Sequence, residues 1–172
     1  INEFGAVPID HLLSDASDDQ IVVLENGCLC CTVFGDLVST LNRLYHAREA
    51  GSIQRFDRVI IETSGLADPQ PIVQAFLSDP TLEGLFRLES VLAVLDAVNG
   101  PDTLKRHDQS GHQLALADAV LLTKLDLIDA GQADVAERAL RVSVREFNAA
   151  ADLYVAHDPA LDPVSLLLRS GY

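Results

Sequence analysis

Short aliphatic runs alternate along this chain with stretches in which apolar positions recur every three or four residues. Residues 21–24 (Ile-Val-Val-Leu) form a first run that stops at Asn26-Gly27. Val33, Leu37, Leu41, Leu44 and Tyr45 then recur at helical spacing, and that pattern stops at Gly51. Residues 58–61 (Arg-Val-Ile-Ile) are β-branched and end at Glu62-Thr63-Ser64-Gly65. Pro69 and Pro71 suit the start of a helix that runs to about Leu77. Residues 91–95 (Val-Leu-Ala-Val-Leu) read as a buried strand closed by Asp96 and by Asn99-Gly100-Pro101. A helix is predicted over residues 110–116, a strand over 119–122, a helix over 132–147 and a last short strand over 153–155.

Continuous apolar strands separated by helices predict an α/β fold, a mostly parallel sheet with helices on both faces. No internal repeat, low-complexity segment or linker interrupts the pattern. Residues 158–163 are turn-rich and suit a domain edge. The expected organisation is therefore one domain over residues 1–157, with 158–172 as its edge or the start of a linker.

Composition narrows the function. Hydrophobic residues make up 48% of the 172, enough for a packed core, and with 5% aromatics that core must be aliphatic. The net charge of −14 repels phosphate backbones, so no nucleic-acid partner is expected. No apolar run reaches membrane-spanning length and no signal peptide is present, so no membrane partner is expected either. The three cysteines cannot pair completely within one chain, which points to a reducing cytoplasm. The chain starts at Ile1 and contains no Met, as expected of a processed product or a fragment.

Those three cysteines, Cys28, Cys30 and Cys31, all lie in the run Cys28-Leu29-Cys30-Cys31. Three adjoining thiolates supply most of a tetrahedral site for a soft metal. The same run also suits buried thiols at a strand-to-helix turn, or a redox pair. His11, His46, His107, His112 and His157 have no ligand-like spacing with the cysteines and read as surface or core residues.

In open parallel sheets ligands bind beyond the carboxyl ends of the strands, and polar clusters follow the predicted strands here. Glu62 ends one strand, where a carboxylate can hold magnesium or orient an attacking water. Gly65 lets the backbone approach a γ-phosphate. Thr63, Ser64 and Asp68 suit equally well a loop that caps the Pro69 helix. Thr123-Lys124-Leu125-Asp126 follows another strand. It is similar to the guanine-reading Asn-Lys-x-Asp motif of GTPases, in which Thr is a known first residue. Asp126, an acceptor-only carboxylate, would take the guanine N1–H and 2-amino group, and the Lys124 stem would pack over the base.

Asn2-Glu3-Phe4-Gly5, Glu25-Asn26-Gly27-Cys28-Leu29-Cys30-Cys31, Glu62-Thr63-Ser64-Gly65-Leu66-Ala67-Asp68-Pro69, Asp96-Ala97-Val98-Asn99 and Thr123-Lys124-Leu125-Asp126 stand in the order and rough spacing of the CobW-type GTPases. Nearly the whole chain resembles these G3E-class metallochaperones, which include CobW proteins, nitrile hydratase activators and zinc chaperones. The resemblance implies a P-loop GTPase-like fold truncated at its N-terminus. It implies Glu62 and Gly65 in catalysis, with Glu62 to Gly65 as the Walker B and switch II segment. It puts residues 2–10 in or near switch I. Thr63, Thr123, Lys124 and Asp126 would contact the nucleotide, with Asn148 in a loop that closes over the base. Cys28, Cys30 and Cys31 would bind the metal, with Glu3 a candidate fourth ligand that serves the nucleotide equally well.

The family's phosphate-binding loop should precede Asn2, so the fragment alone is expected to bind GTP poorly and not to hydrolyse it. Its C-terminal domain is likewise not within this chain. Some relatives carry an acidic residue where Ala6 stands and a histidine where Asn99 stands. The function implied is a GTP-dependent metallochaperone that uses GTP and Mg2+, binds Zn2+ or Co2+ and passes the metal to a client metalloprotein, in cobalamin or metal-homeostasis pathways. A homodimer is left open. The competing readings are a non-hydrolysing metal store or sensor, and a thiol redox protein.

Overall fold

The computed structural model describes residues 32–63, 65 and 67–168. Within them the chain gathers into two compact units that meet in sequence at Arg87 and Leu88.

The first unit is helical. Helix α1 (Thr32–Glu49) is the stretch whose apolar positions recur at helical spacing. It buries Leu37 and Leu41 on one face. It ends in a double hydrogen bond, Ser52 N–H to Ala47 O at 2.9 Å and Gly51 N–H to Arg48 O at 3.1 Å, which requires the left-handed backbone that Gly51 adopts at φ 68°. Helix α2 (Gln70–Ser78) starts behind Pro69, and Asp68 Oδ1 accepts the Gln70 N–H at 2.9 Å. Helix α3 (Pro80–Glu83) is capped by Asp79, whose Oδ1 accepts the Thr81 N–H at 2.8 Å. Leu37, Leu41, Ala75 and Leu82 form the buried core, with Val59, Ile61, Ile72 and Phe86 packed against it.

The strand expected over residues 58–61 is not one here. The segment has no regular structure, and among the described residues it joins no sheet. Its alternation survives: Val59 and Ile61 reach the core while Ile60 is 68% exposed. A strand buried on both faces would hide all three.

The second unit is a parallel sheet with helices. Strands β1 (Leu92–Asp96), β2 (Ala119–Thr123) and β3 (Asp152–Val155) lie side by side in that order, both pairings parallel. Helices α4 (Gly100–Arg106) and α5 (Asp108–Leu116) connect β1 to β2. A single 3-10 turn (Leu125–Leu127) and helix α6 (Ala133–Phe147) connect β2 to β3.

The register aligns Ala93 with Val120 and Leu153, and Leu95 with Leu122 and Val155. These six share one face of the sheet, and Leu114, Leu140 and Val144 of the helices pack against it. Val120, Leu122 and Val144 are fully buried, so the centre of this core lies at β2. Helix α7 (Pro163–Leu168), not anticipated from the sequence, follows the turn-rich stretch and starts where Asp162 accepts the N–H groups of Val164 and Ser165 at 3.1 and 3.2 Å. No helix among the described residues is long and apolar enough to cross a membrane.

Candidate nucleotide-binding site

The carboxyl ends of β1 and β2 lie level, Asp96 opposite Thr123. The Ala97 N–H extends the ladder to Thr123 O at 2.8 Å, and Thr123 Oγ1 donates to Leu95 O at 3.5 Å. The next residue, Lys124, has φ 60° and ψ 22°; it is the one non-glycine with positive φ among the described residues. This left-handed residue turns the chain sharply out of the sheet. Leu125, 2% exposed, plugs the core and leaves Asp126 exposed beside it. Thr123, Lys124 and Asp126 are therefore brought together on one tight loop at the end where parallel sheets bind ligands.

Lys124 does not extend freely into solvent. Its Nζ donates to Asp96 Oδ2 at 2.6 Å. The same oxygen accepts from Asn99 Nδ2 at 3.0 Å, while Asp96 Oδ1 accepts the N–H groups of Val98 at 2.7 Å and Asn99 at 3.1 Å. Burial alone would raise the pKa of this carboxyl. The four hydrogen bonds, led by that from Lys124, outweigh it and hold Asp96 well below the usual carboxylate range. With four donors on two oxygens, Asp96 has no vacant acceptor site. Asp96 and Asn99 were quoted in the family resemblance without a role. The local signal was an Asp at a strand end with N–H donors two and three residues on.

Asn148 is placed elsewhere. Its Nδ2 donates to Leu114 O at 3.0 Å and Ala117 O at 2.8 Å, and its Oδ1 accepts the N–H groups of Ala150 and Ala151 at 3.0 Å each. These partners precede β2 and β3, at the amino ends of the strands. Lys124 stands at the other end of β2, about 13 Å away at strand rise. The residue expected in a base-closing loop here ties two strand entrances together, at the end of β2 opposite Lys124. The segment that shares the Lys124 end follows β3, where the Ala156 N–H bonds Leu122 O at 2.9 Å and His157-Asp158 come next.

In the first unit, Glu62 and Gly65 are exposed and Thr63 is half-buried. Cys28, Cys30, Cys31 and Glu3 lie outside the described residues. Among the described residues no group of three or more His, Cys, Asp or Glu is arranged to hold a metal.

The family model described as CobW/HypB/UreG, nucleotide-binding domain, matches residues 1–153. The chain belongs to this family. It is 39% identical over 145 residues to the zinc chaperone YjiA of Escherichia coli (strain K12), covering 84% of this chain and 45% of that protein. It is 32% identical over 162 residues to zinc-regulated GTPase metalloprotein activator 1 of Schizosaccharomyces pombe, covering 91% and 37% respectively. The zinc chaperone CobW of Sinorhizobium sp is 34% identical over 157 residues, 76% of this chain and 43% of that protein. A crystal structure of Zn(II)-bound YjiA GTPase from E. coli matches with a TM-score of 0.61 at 35% identity, over 74% of this chain and 37% of that one. The fold is thus that of a CobW-type P-loop GTPase, as the motifs implied. The chain spans less than half the length of these CobW-family relatives.

Proposed function

We infer that this CobW-family chain is the nucleotide-binding part of a GTP-dependent zinc metallochaperone. The observation that carries the reading is the Thr123-Lys124-Leu125-Asp126 loop, held at the carboxyl end of a parallel sheet with Lys124 left-handed and Asp126 exposed. An exposed acceptor-only carboxylate suits the two adjacent donors on the guanine edge, and the Lys124 stem offers an apolar surface to the ring.

The donor set of Cys28, Cys30 and Cys31 is chemically suited to zinc, which here is cargo. Thiolates bind cobalt as well, so availability would decide between them. A reduced, cytoplasmic setting would keep the three thiols ready for metal. Mg2+ would enter with the nucleotide and neutralise phosphate charge. Glu62 would orient the attacking water, and Gly65 would give the backbone close access to the γ-phosphate. Nucleotide state would then bias metal release toward a client metalloprotein through the segments around these residues.

The test is GTP turnover by the full-length protein with and without zinc, beside a competitive zinc titration of the reduced protein against a chromophoric chelator. The expected result is GTP hydrolysis and tight one-to-one zinc binding that Cys30→Ser abolishes. No hydrolysis under either condition would favour a metal store. Disulfide exchange without tight zinc binding would favour a thiol redox protein.

A further inference from the structure

The hydrogen bonds around Asp96 exceed what closing the β1–α4 turn requires. Two backbone N–H groups, of Val98 and Asn99, suffice for that turn and occupy Oδ1 alone. The second oxygen is given to Lys124 Nζ, 28 positions away in sequence, with Asn99 Nδ2 bracing the same atom. Lys124 keeps 52% of its side chain exposed, so this is not an ion pair required by burial. Its backbone is fixed at φ 60° and its ammonium at 2.6 Å from Asp96. A lysine held at both ends presents its four-carbon stem as a prearranged surface, where a free lysine would lose that freedom on binding.

We propose that Asp96, braced by Asn99, is a positioning residue for the guanine site: it fastens the Lys124 ammonium so that the lysine stem is already set to receive the purine ring. The proposal rests on reading the Lys124–Asp126 loop as that site. It separates two roles within the loop. Asp126 distinguishes guanine from other purines by its edge, while Asp96 acts through Lys124 on any purine that stacks there.

The test is equilibrium binding of GDP and IDP to the full-length protein, IDP being GDP without the 2-amino group. Asp96→Asn keeps an acceptor for the turn but faces an NH2 toward Lys124. It should weaken GDP and IDP equally, roughly five- to twentyfold, leaving their ratio unchanged. Lys124→Met should weaken both similarly, and Asp96→Asn added to Lys124→Met should cause little further loss. Asp96→Ser, whose hydroxyl also closes such a turn, serves should the Asn variant fail to fold. Unchanged GDP binding in the folded Asp96 variants, or a full additional loss in the Lys124→Met background, overturns the proposal. Asp126→Ala reports separately on the site. It should bring the GDP and IDP affinities together, and a ratio that stays at its wild-type value rejects the guanine site itself.

Discussion

Asn148 Nδ2 donates to the Ala117 carbonyl at 2.8 Å, joining the residue that follows α6 to the turn that enters β2. The same side chain accepts two N–H groups from the turn into β3. One amide thus holds the entrances of two adjacent parallel strands in register. Asn148→Ala strands these main-chain groups, some of them part-buried, and should cost about 2–3 kcal/mol. Asn148→Asp should also destabilise, because it loses the donor to Ala117. Urea denaturation should show a lower midpoint with an unchanged slope. The nucleotide affinity of the folded fraction should be unaltered, which a residue of the base pocket would not allow.

Two glycines should respond to alanine in opposite directions. A Cβ on Gly100 would lie 2.7 Å from Leu95 Cδ1, and Leu95 is a core residue at 6% exposure. Leu95 cannot swing away without disturbing Leu122 and its neighbours, so Gly100→Ala should destabilise by about 1–2 kcal/mol. Gly35 stands within α1 with nothing within 4 Å of its added Cβ. Gly35→Ala should stabilise by about 0.5–1 kcal/mol through helix propensity. Paired thermal melts check both signs.

Acid should unfold this protein through a small set of capping carboxylates. Hydrogen bonds led by the Thr81 hydroxyl hold Asp79 below the usual carboxylate range, and those led by the Ser165 hydroxyl do the same for Asp162. At Asp96, burial pulls upward, but the bonds from Lys124, Asn99 and the Val98 N–H prevail. A carboxyl whose folded value is depressed binds fewer protons folded than unfolded, so stability rises with pH across that window. The contribution is complete above about pH 5 and is lost as pH falls below about 4 toward the folded values. Asp96→Asn should therefore flatten the acid limb of the stability curve while leaving its neutral limb parallel to wild type. Urea midpoints between pH 3 and 7 measure this.

The long periodic elements were legible in the sequence: α1, α2, α5, α6 and all three strands of the sheet fall within a few residues of their expected places. Their signals are repeated many times within each element. Helices α4 and α7 have 7 and 6 residues, too few for a period to accumulate. At residues 58–61 the alternation persists in burial, Val59 and Ile61 inward and Ile60 outward, while among the described residues the segment joins no sheet. The bonds from Asn148 to the entrance of β2 were not legible, since they reach Leu114 and Ala117 more than thirty positions earlier in sequence. The family itself was legible because its motifs are short, ordered and chemically unusual. The link from Asp96 to Lys124 was not, since it joins the ends of two separate strands.

Lys124 offers a last separation, between backbone conformation and side-chain contact. Its φ of 60° places a Cβ in the region that costs an L-residue roughly 1–2 kcal/mol and costs glycine almost nothing. Lys124→Gly and Lys124→Ala both delete the bond to Asp96, so their difference isolates the backbone. Glycine ordinarily loses to alanine, because it leaves the unfolded chain more freedom. Here the order should reverse, with the Gly variant about 1 kcal/mol more stable and its melting temperature a few degrees higher. Equal stability, or the usual preference for alanine, would mean that the loop does not hold its left-handed turn in solution. The fixed platform inferred for the purine would then lose its backbone anchor.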